Sequence, residues 1–412
     1  MKEEIKMRKV VVIGGGAAGL MAACVAAKNG KKVILIEKNE KLGKKIYITG
    51  KGRCNLTNNI EPIEFFPNVV SNPKFAYSCI NVFSPKDTIK YFESLGLNLK
   101  TERGNRVFPL SDKASDVTKA LEKELYRLKV EVLLNTSVTE ILVDSGKIVG
   151  VATEGKNISC DGVVVCCGGI SYPATGSTGD GYRFAKALGH SIVDLRPALV
   201  GIELCGDKFK EAQGVSLKNV TIKCKYGEKV VYTEFGEMLF THFGISGPIV
   251  LSCSSVINRK TPTDLKLYID LKPALDFETL DKRLIREFGE NNHKVLATVM
   301  KNLLPKSLIG IVLNQAGVKQ SKKCSEITQA ERKKIVFALK ELEFLVKKLR
   351  PVDEAIVTSG GVSVKEINPK TMESKIVNGL YFAGEVIDVD AFTGGFNLQL
   401  AFSTGYVAGL NC

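Results

Sequence analysis

Residues 10–37 constrain the fold more than any other stretch of this chain. They read VVVIGGGAAGLMAACVAAKNGKKVILIE. The β-branched run Val10 to Ile13 leads into Gly14-Gly15-Gly16-Ala17-Ala18-Gly19, an Ala-rich stretch of helical character follows, and Val33 to Ile36 ends in Glu37. Strand, glycine turn, helix, strand and acid is the spacing that places a dinucleotide's pyrophosphate and ribose. Gly14 permits the tight turn, Gly16 lets the backbone approach the pyrophosphate, and Gly19 lets the helix lie close to the strand. Ala17 and Ala18, at the start of the helix, join the expected contacts. The pyrophosphate then meets the positive end of the helix dipole, and Glu37 is set to accept hydrogen bonds from a ribose diol. A membrane span explains the stretch less well. Its uncharged part, residues 10–27, is bounded by Lys9 and Lys28, is broken by four clustered glycines, and is shorter than the roughly 20 residues a span needs.

At 412 residues the chain exceeds one ordinary core, so two or three domains are expected. The eleven cysteines are scattered and none forms CxxC. With no export signal in view, they read as free thiols in a cytoplasmic protein. His190, His242 and His293 show no metal-ligand spacing, so no metal is expected. The net charge of +14 admits a polyanion partner or acidic small molecules such as FAD, NAD(P)H or a carboxylate substrate. The lysines are spread along the chain, aromatics make up 7%, and tryptophan is absent. These features rank a small molecule above nucleic acid, and no membrane partner is expected.

After Glu37 comes a Lys-, Gly- and Asn-rich segment, residues 38–58. It is too long and glycine-punctuated for a plain connector and reads as a second phosphate and flavin contact, through Lys38, Lys45, Gly52, Arg53, Cys54 and Asn55. Cys54 has no partner cysteine spaced for redox chemistry and reads as packing. Helices are expected over 74–96, broken at Pro85 with Ser84 as cap, and over 113–129. Short strands follow, and Val138 in SVTEILVD joins the cofactor set. Residues 171–189 read as a glycine-rich loop and helix capped by Thr178 or Asp180. Residues 192–271 suggest many short strands and no long helix. Residues 275–345 read as mostly helical, with ERKKIVFALKELEFLVKKL (331–349) a clear amphipathic stretch. Near the end, 379–385 is a buried strand closing on Gly384 and Glu385, and Thr393-Gly394-Gly395-Phe396-Asn397 is a glycine turn opening a final helix. Its amides suit the N1/C2 carbonyl end of a flavin, where negative charge builds on reduction, and Glu385 suits ribityl or ribose hydroxyls.

The chain resembles the BaiN/YhiN-like family of NAD(P)/FAD-dependent flavoproteins. The carrying segments include GGGAAGLMAA (14–23), EKNEKLGKKIYITGKGRCNLTN (37–58), CGGISYPATGSTGDGYRFAKALGH (167–190), GEMLFTHFGISGP (236–248) and GLYFAGEVIDVDAFTGGFNLQLAFSTG (379–405). The resemblance implies an α/β, glutathione-reductase-like FAD-binding Rossmann domain with an inserted β-barrel and a small helical domain. On this reading the FAD domain spans 1–190 and 355–412, the barrel-like insert 191–272 and 340–354, and the helical insert 273–339.

The leading expectation is an FAD-dependent reductase that takes electrons from NAD(P)H and delivers hydride to an activated C=C. The family includes an enzyme acting on 3-oxo-4,6-dienoyl bile acids, so a steroid carboxylate is a possible substrate. His242, in a glycine-punctuated loop, and Tyr172 are the candidate proton donors. An oxygen-using amine oxidase and a flavin-containing RNA-binding or RNA-modifying protein are the alternatives, and the oligomeric state is open.

Overall fold

The computed structural model describes residues 7–412. The chain divides into two compact units, residues 7–197 with 352–412, and residues 198–351.

The first unit is built on a five-stranded parallel sheet. Its order is Leu380–Phe382, Gly162–Val165, β1 (Lys9–Ile13), β2 (Lys32–Ile36) and Glu131–Leu133. Val12 pairs with Val164 on one side and Leu35 on the other. The three central strands read as near-continuous aliphatic runs because both faces of a parallel sheet are covered. Helix α1 (Ala17–Lys28) follows β1 and is buried from Ala18 to Ala26, as befits a helix packed on several sides. The final helix, Phe396–Asn411, lies against it. Gly405 and Gly409, one helical turn apart, allow this contact: a Cβ on either would lie 2.4 Å from the Ala18 carbonyl oxygen or 2.6 Å from that of Ala22. Backbone therefore meets backbone where side chains would hold the helices apart.

Several local expectations hold. Ser84 caps the helix Pro85–Ser94, its hydroxyl and the Asp87 carboxylate each accepting from the other's backbone N–H. A helix spans Ala114–Arg127. The cap expected of Thr178 or Asp180 does not form. The helix Asp180–Ala187 starts from Gly179 at φ +85°, with no side-chain cap, and the Asp180 carboxylate instead takes the Lys38 ammonium at 2.7 Å.

The second unit is a closed six-stranded barrel with helices. Its strands run in the order Ile202–Leu204, Gly244–Ser246, Lys229–Phe240, Ser216–Tyr226, Leu265–Asp270 and Leu342–Leu349. Two of these strands, of 11 and 12 residues, are longer than expected, and a ten-residue helix, Pro248–Ile257, interrupts them. The amphipathic stretch 331–349 is likewise not one helix. The helix Gln329–Lys340 ends and a barrel strand begins at Leu342. After Glu341 the buried positions become Leu342, Phe344 and Val346, which is period two rather than 3.6. The helices and barrel share one core, in which Leu280, Leu284 and Ile335 belong with Ile269 and Phe344. The helical insert is thus not a separate compact body. Among the described residues no helix is long and apolar enough to cross a membrane.

The helix–helix contact makes a direct prediction. Gly409→Val forces a branched side chain onto the α1 backbone, and overpacking of this kind costs about 1–3 kcal/mol. Thermal unfolding should show a clear drop in Tm. An unchanged Tm would mean that the two helices can separate at no cost.

Candidate cofactor site

The glycine turn fits strand to helix as the sequence reading requires. A Cβ on Gly14 would lie 2.6 Å from the Cys166 carbonyl oxygen, and one on Gly19 would lie 1.9 Å from that of Gly14. These two glycines are close-packing positions. Gly16 is different: a Cβ there meets nothing within 4 Å. It is the N-cap of α1, which has no side-chain cap and no acid in its first turn. An uncapped helix start keeps its orphan N–H groups and its positive dipole end for an anion. The open space at Gly16 lies beside them.

Glu37 is buried at the end of β2. Its Oε2 accepts the Gly15 N–H at 2.8 Å, and its Oε1 accepts the backbone and side-chain N–H groups of Asn39 at 2.8 and 2.7 Å. The carboxylate therefore holds the turn itself, in addition to any ribose contact. Its carbonyl accepts from Thr136 at 3.1 Å, which brings in the segment leading to Val138, buried in the antiparallel sheet that pairs it with Thr153.

The segment after Glu37 reaches between the two glycine turns. At one end the Gly43 N–H donates to the Gly15 carbonyl at 2.8 Å. Helix α2 (Lys44–Ile48) starts there. At the other end Asn58 donates to the Gly394 carbonyl at 3.0 Å, and Thr57 packs under Gly395. Between them the backbone enters the left-handed region at Gly50, Lys51, Gly52 and Cys54. Lys51 and Cys54 are costly there, and such strain concentrates at ligand sites. The Asn55 Oδ1 is buried without a hydrogen-bond partner, which calls for a donor from outside the chain.

Other expected contacts have protein partners. Arg53 lies over the Phe108 ring and pairs with Glu102 and Asp112, so its guanidinium braces the segment. Lys38 pairs with Asp180. Burial pushes the Cys54 thiol up to about 12, so it stays protonated and serves as packing. Asn397 exchanges hydrogen bonds with the backbone of Ala391 at 2.9 and 2.7 Å, and Phe396 packs edge-on against Phe65. Both residues hold the last turn in shape. Gly52 is exposed.

Lys45 and Glu385 meet at 2.9 Å. Glu385 also accepts from the Ser171 hydroxyl at 2.9 Å and the Thr358 N–H at 2.8 Å, and Lys45 donates to Ser171 at 3.0 Å. Burial opposes ionisation of Glu385, but the Lys45 ammonium and these donors outweigh it and hold the carboxyl below its ordinary range. Gly384, one residue earlier, faces Ala18 at the start of α1, where an added Cβ would lie 2.8 Å from the Ala18 Cβ. The pair thus ties α2 to the strand end beside the open helix terminus. Ser171, Thr358 and Asn39 were not singled out by the sequence reading, because small polar residues in loops carry no spacing signal.

Of the two candidate donors, Tyr172 follows Ser171 directly and sits at φ +50°, unusual for a bulky residue. His242 lies in the second unit, exposed in the loop between the barrel strands Lys229–Phe240 and Gly244–Ser246, its ring against Phe243.

An uncapped helix start beside an open cradle, a second uncapped start at Gly395, and the orphan Asn55 oxygen fit FAD. Gly16→Val should therefore yield folded protein without cofactor, because its side chain fills only the cradle. Gly395→Val carries the same side chain into the Thr57 backbone, where a Cβ would lie 2.4 Å from the carbonyl oxygen, and should cost stability as well. Cofactor absorbance and Tm measured on both variants check this. A yellow Gly16→Val protein would remove the cradle from the pyrophosphate site.

Comparison with known proteins agrees with this geometry. Residues 8–411 match the family model described as HI0933-like protein Rossmann domain. The chain is 33% identical over 407 residues to the 3-dehydro-bile acid delta(4,6)-reductase of Clostridium scindens, covering 98% of each. It is 32% identical over 407 residues to the ribosomal RNA dihydrouridine synthase of Haemophilus influenzae, covering 97% of each. Among solved structures, the 3-ketosteroid-delta4-(5alpha)-dehydrogenase of Rhodococcus jostii superposes with a TM-score of 0.55 at 15% identity, over 99% of this chain and 98% of that one. The open conformation of a flavocytochrome c3 fumarate reductase gives 0.53 at 19% identity, over 99% of this chain and 78% of that one. These structural likenesses concern the fold, an α/β Rossmann FAD-binding fold. With its glycine turn, its two uncapped helix starts and a match along nearly its whole length, the chain belongs to the HI0933-like family of FAD-dependent oxidoreductases.

Proposed function

We propose that this oxidoreductase adds two hydrogens across a C=C bond conjugated to a carbonyl, using electrons from NADH or NADPH. The observation that carries this reading is the pair of full-length relatives at 33% and 32% identity. Their names describe different substrates but one kind of change: a delta(4,6)-reductase and a dihydrouridine synthase both saturate a ring C=C. In uridine, as in a 3-oxo steroid unsaturated at carbon 4, that bond is conjugated to a carbonyl, so hydride at the β-carbon leaves an enolate that a site can stabilise.

Bound FAD supplies the hydride chemistry. The chain supplies the rest. The α1 terminus and the Gly16 cradle hold the pyrophosphate. The amides opening the last helix would offer positive partial charge to the flavin of a bound FAD. A proton donor completes the reaction. Tyr172, held in a strained backbone conformation next to the Ser171–Glu385–Lys45 cluster, is the donor this reading favours, with His242 as the alternative. A 3-oxo-4,6-dienoyl bile acid is the small-molecule substrate to test first.

Rapid-mixing kinetics on the loaded enzyme test the reading in two halves. NADH or NADPH should reduce the protein anaerobically, and a 4-en-3-one should reoxidise it. Tyr172→Phe should leave the first half intact and slow the second by about 10²–10⁴-fold, the usual worth of general acid catalysis. If His242→Ala gives that pattern instead, His242 is the donor. Reduction by amines, with reoxidation by oxygen and none by enones, would overturn the proposal in favour of an oxidase.

A further inference from the structure

Helix and strand periods meet between residues 114 and 134, and the change leaves an apolar surface open. On the helix Ala114–Arg127 the buried residues Val117, Leu121 and Leu125 recur every four positions, which is one face of an α-helix. From Val130 the period becomes two, so Val130, Val132 and Leu134 share one side of the strand Glu131–Leu133 and its flanks. That strand is the last of the parallel sheet, so no further strand continues the surface. Leu42 and Leu125 join these three residues as the floor of a groove of about 380 Å³, within the roughly 300–1,000 Å³ of small-molecule sites. Its rim is apolar as well: Tyr126 is 88% and Leu134 37% exposed.

Three charged side chains line the groove, and two of them are engaged elsewhere. Glu40 pairs with Lys44 at 3.0 Å, and the Lys41 ammonium lies 4.7 Å over the Tyr47 ring. Glu122 is the third. Among the described residues it has no ion-pair partner within 4.0 Å. Burial raises its carboxyl above the ordinary range, and the exposed Lys119, one turn back on the helix, offsets this only in part. A half-buried carboxylate over apolar side chains, without a cation, is costly for the protein alone. An apolar cation removes that cost, since its charge pairs with the carboxylate and its body covers the floor. A metal ion does not suit, because among the described residues no three His, Cys, Asp or Glu side chains gather to hold one. A small polar cation would leave the floor in water.

The groove adjoins the cofactor turn. Leu42, part of its floor, also covers Gly15. A Cβ on Gly15 would lie 2.3 Å from the Leu42 Cδ2, and the next residue, Gly43, donates its N–H to the Gly15 carbonyl at 2.8 Å. An occupant resting on Leu42 therefore restrains the residue that seals the turn. We infer that this groove binds an organic ammonium with an apolar body, held by Glu122, and that its occupancy tightens FAD binding through Leu42. Neither part rests on the reductase reading above.

The test uses the full-length, FAD-loaded protein and tryptamine, an ammonium carried on an apolar ring system. The chain has no tryptophan, so indole emission reports the probe alone. The net charge of +14 opposes unspecific binding of a cation. Tryptamine should bind saturably, and indole-3-propionate, the same ring with an anionic tail, should bind at least about tenfold more weakly. Glu122→Gln should weaken tryptamine by about tenfold, the lower end for a charged hydrogen bond. Tm and bound FAD should hold in that variant, because it removes a charge that the fold leaves unpaired. Leu134→Ser should weaken tryptamine several-fold through the lost apolar contact. Saturating tryptamine should lower the Kd for FAD by about fivefold or more in the wild type, as expected for coupled sites, and the same concentration should have little effect on Glu122→Gln. No binding of tryptamine by the wild type, or undiminished binding by both variants, would overturn the site. Tryptamine binding with the Kd for FAD unaltered would overturn the link to the turn. Bleaching of the flavin by tryptamine, equal in the wild type and Glu122→Gln, would place the amine at the reaction site and overturn the groove. Glu122-dependent binding by a protein that reduces no enone would leave the groove standing and remove the reductase reading.

Discussion

The first unit depends on the close approach of three backbones around α1. Gly14 and Gly19 let the helix start lie against the end of β1 and the Cys166 carbonyl, and Gly405 and Gly409 let the last helix press onto the opposite side of α1. Gly16 stands at the N-cap and brings no side chain to cap the α1 terminus. Its N–H groups remain without intrahelical acceptors and face the open space at Gly16. The contacts that seat α1 at Gly14 and Gly19 thus flank its open terminus. A larger residue at these close contacts would change the helix position and the cofactor cradle together.

The parts of this site that were legible in the sequence are those where backbone conformation or close packing restricts residue choice. The turn at 14–19, the acid at 37, the segment 38–58 and the turn at 394–395 all announce themselves through glycine or through an apolar run ending in an acid. Side-chain partnerships did not announce themselves. Nothing in the spacing says that Arg53 pairs with Glu102 and Asp112, or that Lys45 and Glu385, 340 positions apart, meet within a cluster closed by Ser171 and Thr358. Periodicity misled where it changed partway along a stretch. The amphipathic run 331–349 contains both a helix and a strand, and its apolar residues satisfy either period over a few positions.

The charge distribution shows a related effect. A sequence scan looks for basic runs, and here no long run exists. The informative feature is an absence, the lack of any acid over residues 291–325, and the bridge between Val295 and Lys323 then brings separated lysines together. A net charge is ambiguous until it is placed on a surface. In the first unit many basic groups already have carboxylate partners, such as Lys45 with Glu385 and Arg53 with Asp112. Among the described residues the lysines of 291–325 have no carboxylate within 4.0 Å, apart from Lys322.

The Lys45–Glu385 pair illustrates how an ion pair can serve a ligand site without contributing much to stability. Removing two charges from water is costly, and a buried pair often does no better than apolar residues of the same shape. This pair instead fixes position. Lys45 belongs to α2, whose start is bonded to the Gly15 carbonyl, while Glu385 follows Gly384, which faces Ala18. The ion pair therefore joins two segments that approach the same helix terminus from different parts of the chain. With Ser171 and Thr358 supplying further donors, the carboxylate keeps its charge in a partly buried setting. Loss of one partner would leave the other charge uncompensated beside the open α1 terminus, where an extra negative charge opposes anion binding and an extra positive one favours it. The two residues are thus unequal in their effect on binding, although they form one bond.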